Sequence, residues 1–167
     1  MAIIYACEFP DDLWYHVERD VWLRQFPSGM ARLGLTDPAQ TRAGRILHCQ
    51  VRPHREVAAG RVIATIESGK WLGPLPAPAP GVVGSINPLL VDSPDWINRD
   101  PYGKGWVVEF APAVPEGRLG DYGLLRGEPA QRAYAAKLEA LHLNCIRCAE
   151  EPPQEGDGAD GDREAAR

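Results

Sequence analysis

Residues 62–84 read VIATIESGKWLGPLPAPAPGVVG, and the reading of this stretch decides the fold. The first part, Arg61 to Glu67, alternates and is rich in β-branched side chains (Val62, Ile63, Thr65, Ile66), the pattern of a half-buried strand. Ser68-Gly69-Lys70 interrupts it. Gly69 is expected to supply the positive φ of a tight hairpin turn, which sets Lys70 at or beside the tip with its amine extended into solvent. Past the turn, Pro74, Pro76, Pro78 and Pro80 recur with period two. Alternate amide nitrogens of an extended strand point the same way, so the four missing donors fall along one edge. Leu75, Ala77 and Ala79 keep their donors for pairing. The segment is therefore predicted to be an edge strand that cannot recruit a further strand. Gly81-Val82-Val83-Gly84 resumes strand character at once, which disfavours a proline-rich linker. A surface lysine in a hairpin carries no meaning by itself.

Outward from this hairpin the same texture continues. The chain has 17 Gly and 16 Pro in 167 residues, an excess of turn formers that favours short strands over a helical bundle. Val21-Trp22-Leu23, then Met30 to Leu35 after the breaker Pro27-Ser28-Gly29, are strand-like, as are Arg45 to Val51 and Trp106 to Phe110. Asp37-Pro38 predicts a short helix with Asp37 as N-cap and Gly44 closing it. Ser93-Pro94 opens a second short helix by the same chemistry, and Asp100-Pro101-Tyr102-Gly103 is a turn. From Glu128-Pro129 an Ala-rich helix is expected to about Leu143, with Tyr134, Leu138 and Leu141 on the face packed against the β body. The prediction is a mainly β protein, a small barrel or sandwich with short helices and a C-terminal helix. Its organisation reads as an N-terminal extension (1–12), a β domain (13–112), a linker and C-terminal helix (113–149) and an acidic tail (150–167).

The formal net charge is −5, and the tail holds all of it: seven acids and two arginines from Glu150 onward, leaving sixteen of each sign in residues 1–149. A neutral body gives no footprint for nucleic acid or anionic membrane. The tail has no aromatic and is expected to be disordered and solubilising. No apolar run approaches a membrane span, and Met1 to Pro10 lacks a basic n-region, so a cytoplasmic monomer is expected. Four cysteines in such a chain do not imply a disulfide framework. Cys145 and Cys148 have CxxC spacing and are candidates for a redox dithiol, although a helix C-terminus disfavours the thiolate. Cys49 reads as a small core hydrophobe. His16, His48, His54 and His142 are scattered, so no metal site is expected.

Gly34-Leu35-Thr36-Asp37 with Ala39-Gln40, Ala59-Gly60, Glu67-Ser68 and Lys70 form one half of a further pattern. Gly81, Asn87, Ser93-Pro94, Ile97-Asn98, Asp100-Pro101-Tyr102-Gly103 and Gly105-Trp106 complete it. With these residues the region from about Leu13 to Pro112 resembles the glycine-cleavage H-protein family, whose members are barrel-sandwich hybrids carrying lipoate on one lysine. The resemblance implies that Lys70 is the lipoyl-lysine, flanked by Gly69 and Trp71. It also implies that Glu67 and Gly81 match positions read by a lipoylating enzyme, whereas a family glycine falls on His54. An amide on Lys70 would abolish its charge and extend a flexible arm, raising the effective concentration of a carried group at each partner enzyme. The chain would be no enzyme itself. Biotin attachment usually places Met on both sides of the lysine, and here Gly69 and Trp71 stand there.

Trp71 replaces the small residue that usually follows the family lysine, and the segments holding Cys7 and Cys145-Ile146-Arg147-Cys148 are further departures. With Gly73-Pro74, these features resemble a narrower group: the H-protein-like lipoate-binding proteins of the sulfur-oxidising heterodisulfide-reductase-like complex. That resemblance implies carriage of sulfur or redox intermediates, the alternative being the aminomethyl group of the glycine cleavage enzymes. An unlipoylated adaptor working through Trp71 and the Cys145/Cys148 pair is the remaining alternative.

Overall fold

A computed structural model of the chain describes residues 1–149; the tail expected to be disordered lies outside them. The elements in chain order are β1 (Ala2–Ile4), β2 (Cys7–Phe9), β3 (Trp14–His16), β4 (Val21–Gln25) and β5 (Ala31–Leu35). Then come α1 (Asp37–Ala43), β6 (Ile46–Val51), β7 (Glu56–Val57), β8 (Val62–Ser68), β9 (Leu72–Pro76) and β10 (Gly81–Ile86). The two one-turn helices α2 (Leu89–Asp92) and α3 (Trp96–Arg99) precede β11 (Val108–Pro112), a 3-10 helix over Glu116–Tyr122 and α4 (Glu128–Leu141). A six-stranded sheet in the order β3-β4-β5-β11-β10-β7 faces a three-stranded sheet in the order β6-β8-β9, and β1-β2 is a separate hairpin. This is the mainly β barrel-sandwich hybrid expected. Among the described residues no helix is long and apolar enough to cross a membrane.

From Ala64 onward β8 alternates as its pattern requires, and an irregularity between Val62 and Ala64 turns Ile63 inward as well; Ile63, Ala64 and Ile66 are buried and join Leu75, Val83, Val108 and Phe110 in the core between the sheets. Strand β9 is an edge strand, as its prolines demand. It ends at Pro76. Past it the Ala77 amide still donates to the Arg61 carbonyl (2.8 Å), and Ala77 and Ala79 are fully buried. The prolines thus keep the outer edge unpaired while the small residues between them turn into the core.

Four local expectations are corrected. Thr36, not Asp37, caps α1: its Oγ1 accepts from the Ala39 amide (3.4 Å), and Asp37 is the first helical residue. The start of the helix shifts by one because Asp37 is pulled inward, where its carboxylate accepts from the Glu8 amide and the Gln40 side chain, each at 2.9 Å. Gly69 does not take a positive φ; the turn needs none. Helix α4 stops at Leu141 because His142 enters the left-handed region (φ 51°) and Leu143 N–H donates back to the Leu138 carbonyl (3.0 Å). Leu141 is consequently exposed, and Leu143, one turn-reversal later, packs against the interior instead.

The residues assigned to an extension and a C-terminal helix build a second core. Phe9 stacks on Tyr134 (centroids 4.4 Å apart), Tyr15 meets both rings edge-on, and Cys7, Leu13, Trp22, Leu138 and Cys145 complete the cluster. Helix α4 therefore packs on the β body as expected, through the N-terminal hairpin and β3.

Gly81 is fixed by packing. A Cβ there would overlap the Ala111 carbonyl oxygen and the Phe110 ring of the neighbouring strand. Gly81→Ala is expected to destabilise the fold by about 1–3 kcal/mol through overpacking, measured as a lowered denaturation midpoint with unchanged m-value.

Candidate functional site

The β8–β9 hairpin carries the site. Its turn is closed by the Ser68 amide donating to the Trp71 carbonyl (2.7 Å). Ser68 is buried, and its Oγ donates to the Ala43 carbonyl (2.5 Å) while accepting from the Lys70 amide (3.4 Å). A single hydroxyl thus pins the turn to the C-terminal end of α1. Asn98 of α3 holds the same end from the other side. It is fully buried, donates to the Gly44 carbonyl (2.8 Å) and Gln40 Oε1 (3.1 Å), and accepts from the Ile46 amide (2.8 Å). Ser68 and Asn98 so occupy carbonyls that a helix terminus leaves without partners.

Lys70 lies exposed over this end. Gly44 ends α1 with φ 79°, and a Cβ there would come within 2.9 Å of Lys70 Cε and 3.6 Å of Nζ. The glycine serves two needs at once: it reverses the chain and leaves room for the lysine stem. The other two lysines are engaged. Lys137 Nζ pairs with Asp20 at 2.9 Å, and Lys104 Nζ stands 4.8 Å from the Trp96 ring centroid. Among the described residues Lys70 has no ion pair and no ring contact.

Trp71 is half-buried, not extended into solvent. Its indole lies across Gly73 so closely that any Cβ at Gly73 would overlap the ring. There it forms, with Leu35, Ala39, Ala43 and Pro74, the apolar side of a cavity of about 280 Å³. Glu18, Arg19, Asp20 and Arg42 supply the polar side. Asp20 is held by Lys137 and by the Tyr134 hydroxyl (3.1 Å), so α4 positions one wall of the cavity from behind.

Of the predicted site residues, Glu67, Gly69, Lys70 and Trp71 meet at the hairpin, with Glu67 exposed at the last β8–β9 pair. Gly81 does not join them. It pairs with Val57 and Pro112 in the other sheet and is buried. Residue 54 explains the family glycine it replaces: His54 has φ 58°, a backbone state costly for any side chain, and both its N–H and the Arg55 carbonyl bond to Val83 (2.8 Å each). Cys145 does not pair with Cys148. It is disulfide-bonded to Cys7, and Cys148 is a free thiol whose Sγ–H faces the Thr41 carbonyl (3.6 Å). Partner choice is set by the second core, which brings β2 against the chain after α4; local spacing has no part in it. Cys49 packs against the main core, and burial pushes its thiol up to about 12, as suits a small hydrophobe. Among the described residues no group of His, Cys, Asp and Glu could hold a metal ion.

The described residues thus form a barrel-sandwich body whose β8–β9 hairpin presents an exposed lysine without an ion pair. The glycine cleavage H-protein family model matches residues 13–134. Glycine cleavage system H protein 3 of Aquifex aeolicus is 42% identical over 145 residues, covering 86% of this chain and 90% of that protein. The probable glycine cleavage system H protein 2 of Saccharolobus solfataricus is 42% identical over 150 residues, 88% and 99% of the two chains. The crystal structure of a glycine cleavage system H protein from Mycobacterium marinum superposes with a TM-score of 0.63 at 28% identity, over 81% of this chain and all of that one. The chain belongs to the glycine cleavage H-protein family. Proteins of this family are carriers, not enzymes, and hold lipoate covalently on a lysine.

Ser68 and Asn98 escaped the sequence reading as anchors; both stand in the residues that carry the family resemblance, but a polar residue's burial is invisible without the fold. Asn98→Ala would leave the Ile46 amide and the Gly44 carbonyl buried and unpaired. A loss of about 2–4 kcal/mol in stability is expected, measured by urea denaturation, with faster amide exchange concentrated at residues 43–46.

Proposed function

We propose that the chain carries lipoate as an amide on Lys70. The observation that supports this most directly is that, among the described residues, Lys70 alone of the three lysines has neither ion pair nor ring contact, on a turn locked by Ser68. The residues present fit such a group. Gly44 clears the stem, the turn is exposed for a modifying enzyme, and a cavity with one apolar side opens beside Trp71. When bound, the dithiolane supplies reversible disulfide–dithiol chemistry for carrying a group between enzymes. The protein's own part is positional. Ser68, Asn98 and Gly44 fix the base of the arm, Glu67 stands one residue outside the turn for the lipoylating enzyme to read, and the cavity offers a resting place against water. Gly81, which matches a position the lipoylating enzyme reads, also secures the sheet by its close packing.

Only Lys70 offers a tryptic site between Arg61 and Arg99. In protein from its native host, cleavage after Lys70 is expected to be absent, with a peptide over residues 62–99 carrying the mass of a lipoyl group. Routine cleavage there would leave the unlipoylated adaptor as the surviving reading. Lys70→Arg should abolish loading while changing stability by less than about 0.5 kcal/mol, since the side chain is exposed.

The partners that the family membership favours are the lipoylating enzyme and the glycine cleavage enzymes. A second reading, carriage of sulfur intermediates for a heterodisulfide-reductase-like complex, is favoured by Trp71. Its indole narrows the place where an amine-bearing cargo must shelter, whereas a sulfur-bearing arm gains roughly 0.3–1.5 kcal/mol from contact with the ring. Glycine–bicarbonate exchange with a standard glycine decarboxylase separates the two. A rate comparable to that of an ordinary H protein at equal lipoylation supports the glycine cleavage role. A low rate that Trp71→Ala restores assigns the discrimination to the indole and supports the sulfur reading.

A further inference from the structure

Cys7 and Cys145 are 138 residues apart in sequence and joined by a disulfide that ties β2 to the chain after α4. From this tie residues 145–148 run as a strap across α1. The Cys145 amide donates to the Tyr5 carbonyl (3.0 Å). Gln40 Nε2 donates to the Ile146 carbonyl (2.5 Å), and Thr41 Oγ1 bonds both the Ile146 carbonyl (3.0 Å) and its amide (3.2 Å). Arg147 forks between the Glu8 carboxylate (2.8 Å) and Asp37. Cys148 closes the strap, its amide on Gln40 Oε1 (3.3 Å) and its Sγ on the Thr41 carbonyl.

Two features of the strap decide what holds it. Its one large apolar side chain, Ile146, is 65% exposed, so little hydrophobic burial fastens the segment. Apart from those to the buried Asp37 and Gln40, its polar contacts are exposed or half-buried and exchange readily with water. The covalent bond closing a loop of 138 residues is the strong constraint. What the strap grips is the helix whose far end seats the lysine hairpin. Thr41, Ala43 and Gly44 offer their carbonyls to Cys148, Ser68 and Asn98 in turn. Asp37, 1% exposed at the other end of α1, relies on Arg147 as its countercharge.

We propose that the Cys7–Cys145 disulfide is a redox latch on the lysine hairpin: a dithiol reductant opens it, the strap leaves α1, and the end of α1 that bears Ser68 and Lys70 loosens. Cys145 is the entry point, since it is 7% exposed and Cys7 is fully buried. One thiolate of the dithiol attacks Cys145 Sγ and Cys7 leaves as the thiol. The second thiolate then releases Cys145, so two electrons and two protons pass to the cysteines and the reductant departs as its own disulfide. The mobility of the hairpin follows the redox state of its surroundings, whatever group Lys70 bears.

Amide hydrogen exchange on the full chain tests this, comparing oxidised protein with protein reduced by dithiothreitol and with the Cys7→Ser, Cys145→Ser double variant. Reduction is expected to speed exchange about tenfold or more at residues 37–46 and 68–71 as well as at 1–9 and 143–149, leaving β10 and β11 unchanged. The double variant should match the reduced protein and ignore dithiothreitol, with a Tm lower by roughly 5–15 °C. Faster exchange confined to residues 1–9 and 143–149 would reduce the bond to a terminal staple and overturn the latch. Absence of a Cys7–Cys145 peptide under non-reducing digestion would overturn it as well. The unmodified chain suffices for the measurement, so its outcome is independent of the Lys70 assignment, although the consequence for carriage rests on it.

Discussion

The carbonyl end of α1 is the constraint on which the working part of the structure depends. A seven-residue helix is too short to be stable alone, because nucleation costs more than two turns return. It exists because both ends are satisfied from elsewhere in the chain. Thr36 and the buried Asp37 fasten its start, the latter with its amide donating to the Tyr102 hydroxyl at 2.8 Å. At its other end, partners from the hairpin, from α3 and from the C-terminal strap converge. The lysine turn is therefore no free loop. It is docked through one serine hydroxyl onto a helix end that two other distant segments also hold in place.

This arrangement explains why residues remote from Lys70 carry the family resemblance. Gly34 lets the Trp22 indole lie against β5, where its N–H reaches the Leu35 and Pro101 carbonyls at 3.0 Å each. Asn87 turns the chain after β10 by donating to the Lys104 and Trp106 carbonyls and accepting from the Leu89 amide. Gly103 and Gly105 let the Asp100 turn close without a Cβ in its way. None of these touches the lysine. Each satisfies buried backbone groups or permits a close approach, and together they fix the frame against which α1 and α3 are set.

Much of this was legible in the sequence, for definite reasons. Strand β8 announces itself by alternation, and β9 by prolines that tolerate only an outer edge, so the hairpin and the exposure of Lys70 follow from backbone chemistry alone. The start of α1 was misplaced by one residue because Thr36 and Asp37 are both competent caps, and only tertiary contacts to Glu8 and Arg147 decide between them. The end of α4 hung on His142 adopting a left-handed conformation, which no pattern of apolar residues reports. The cysteine pairing was hidden for a stronger reason: CxxC spacing is local, whereas the bond to Cys7 follows from Phe9 and Tyr134 stacking across more than a hundred residues. Gly81 carries a duty that the family pattern does not report. It has a place in the family pattern, yet its burial between strands gives it a steric duty away from the lysine.

Around Lys70 burial falls and returns within four residues. Ser68 is 6% exposed and immobilised, Lys70 is exposed, and Trp71 turns back to half-burial over Gly73. The overlap that any Cβ at position 73 would make with the indole ties the two residues together: Trp71 can lie flat only because residue 73 is glycine. A small residue after the lysine would need no such glycine and would leave the cavity open toward the turn. The large ring instead replaces one open side with an apolar wall and leaves the charged side, with Asp20 and Arg42, as the remaining polar face. Asp20 holds its place through Tyr134 and Lys137 of α4, the helix packed against the N-terminal hairpin. The second core, which at first reads as an appendage, therefore sets the electrostatics of the cavity beside the Lys70 hairpin, and the segments at the two ends of the described chain belong to this region as much as the strands between them.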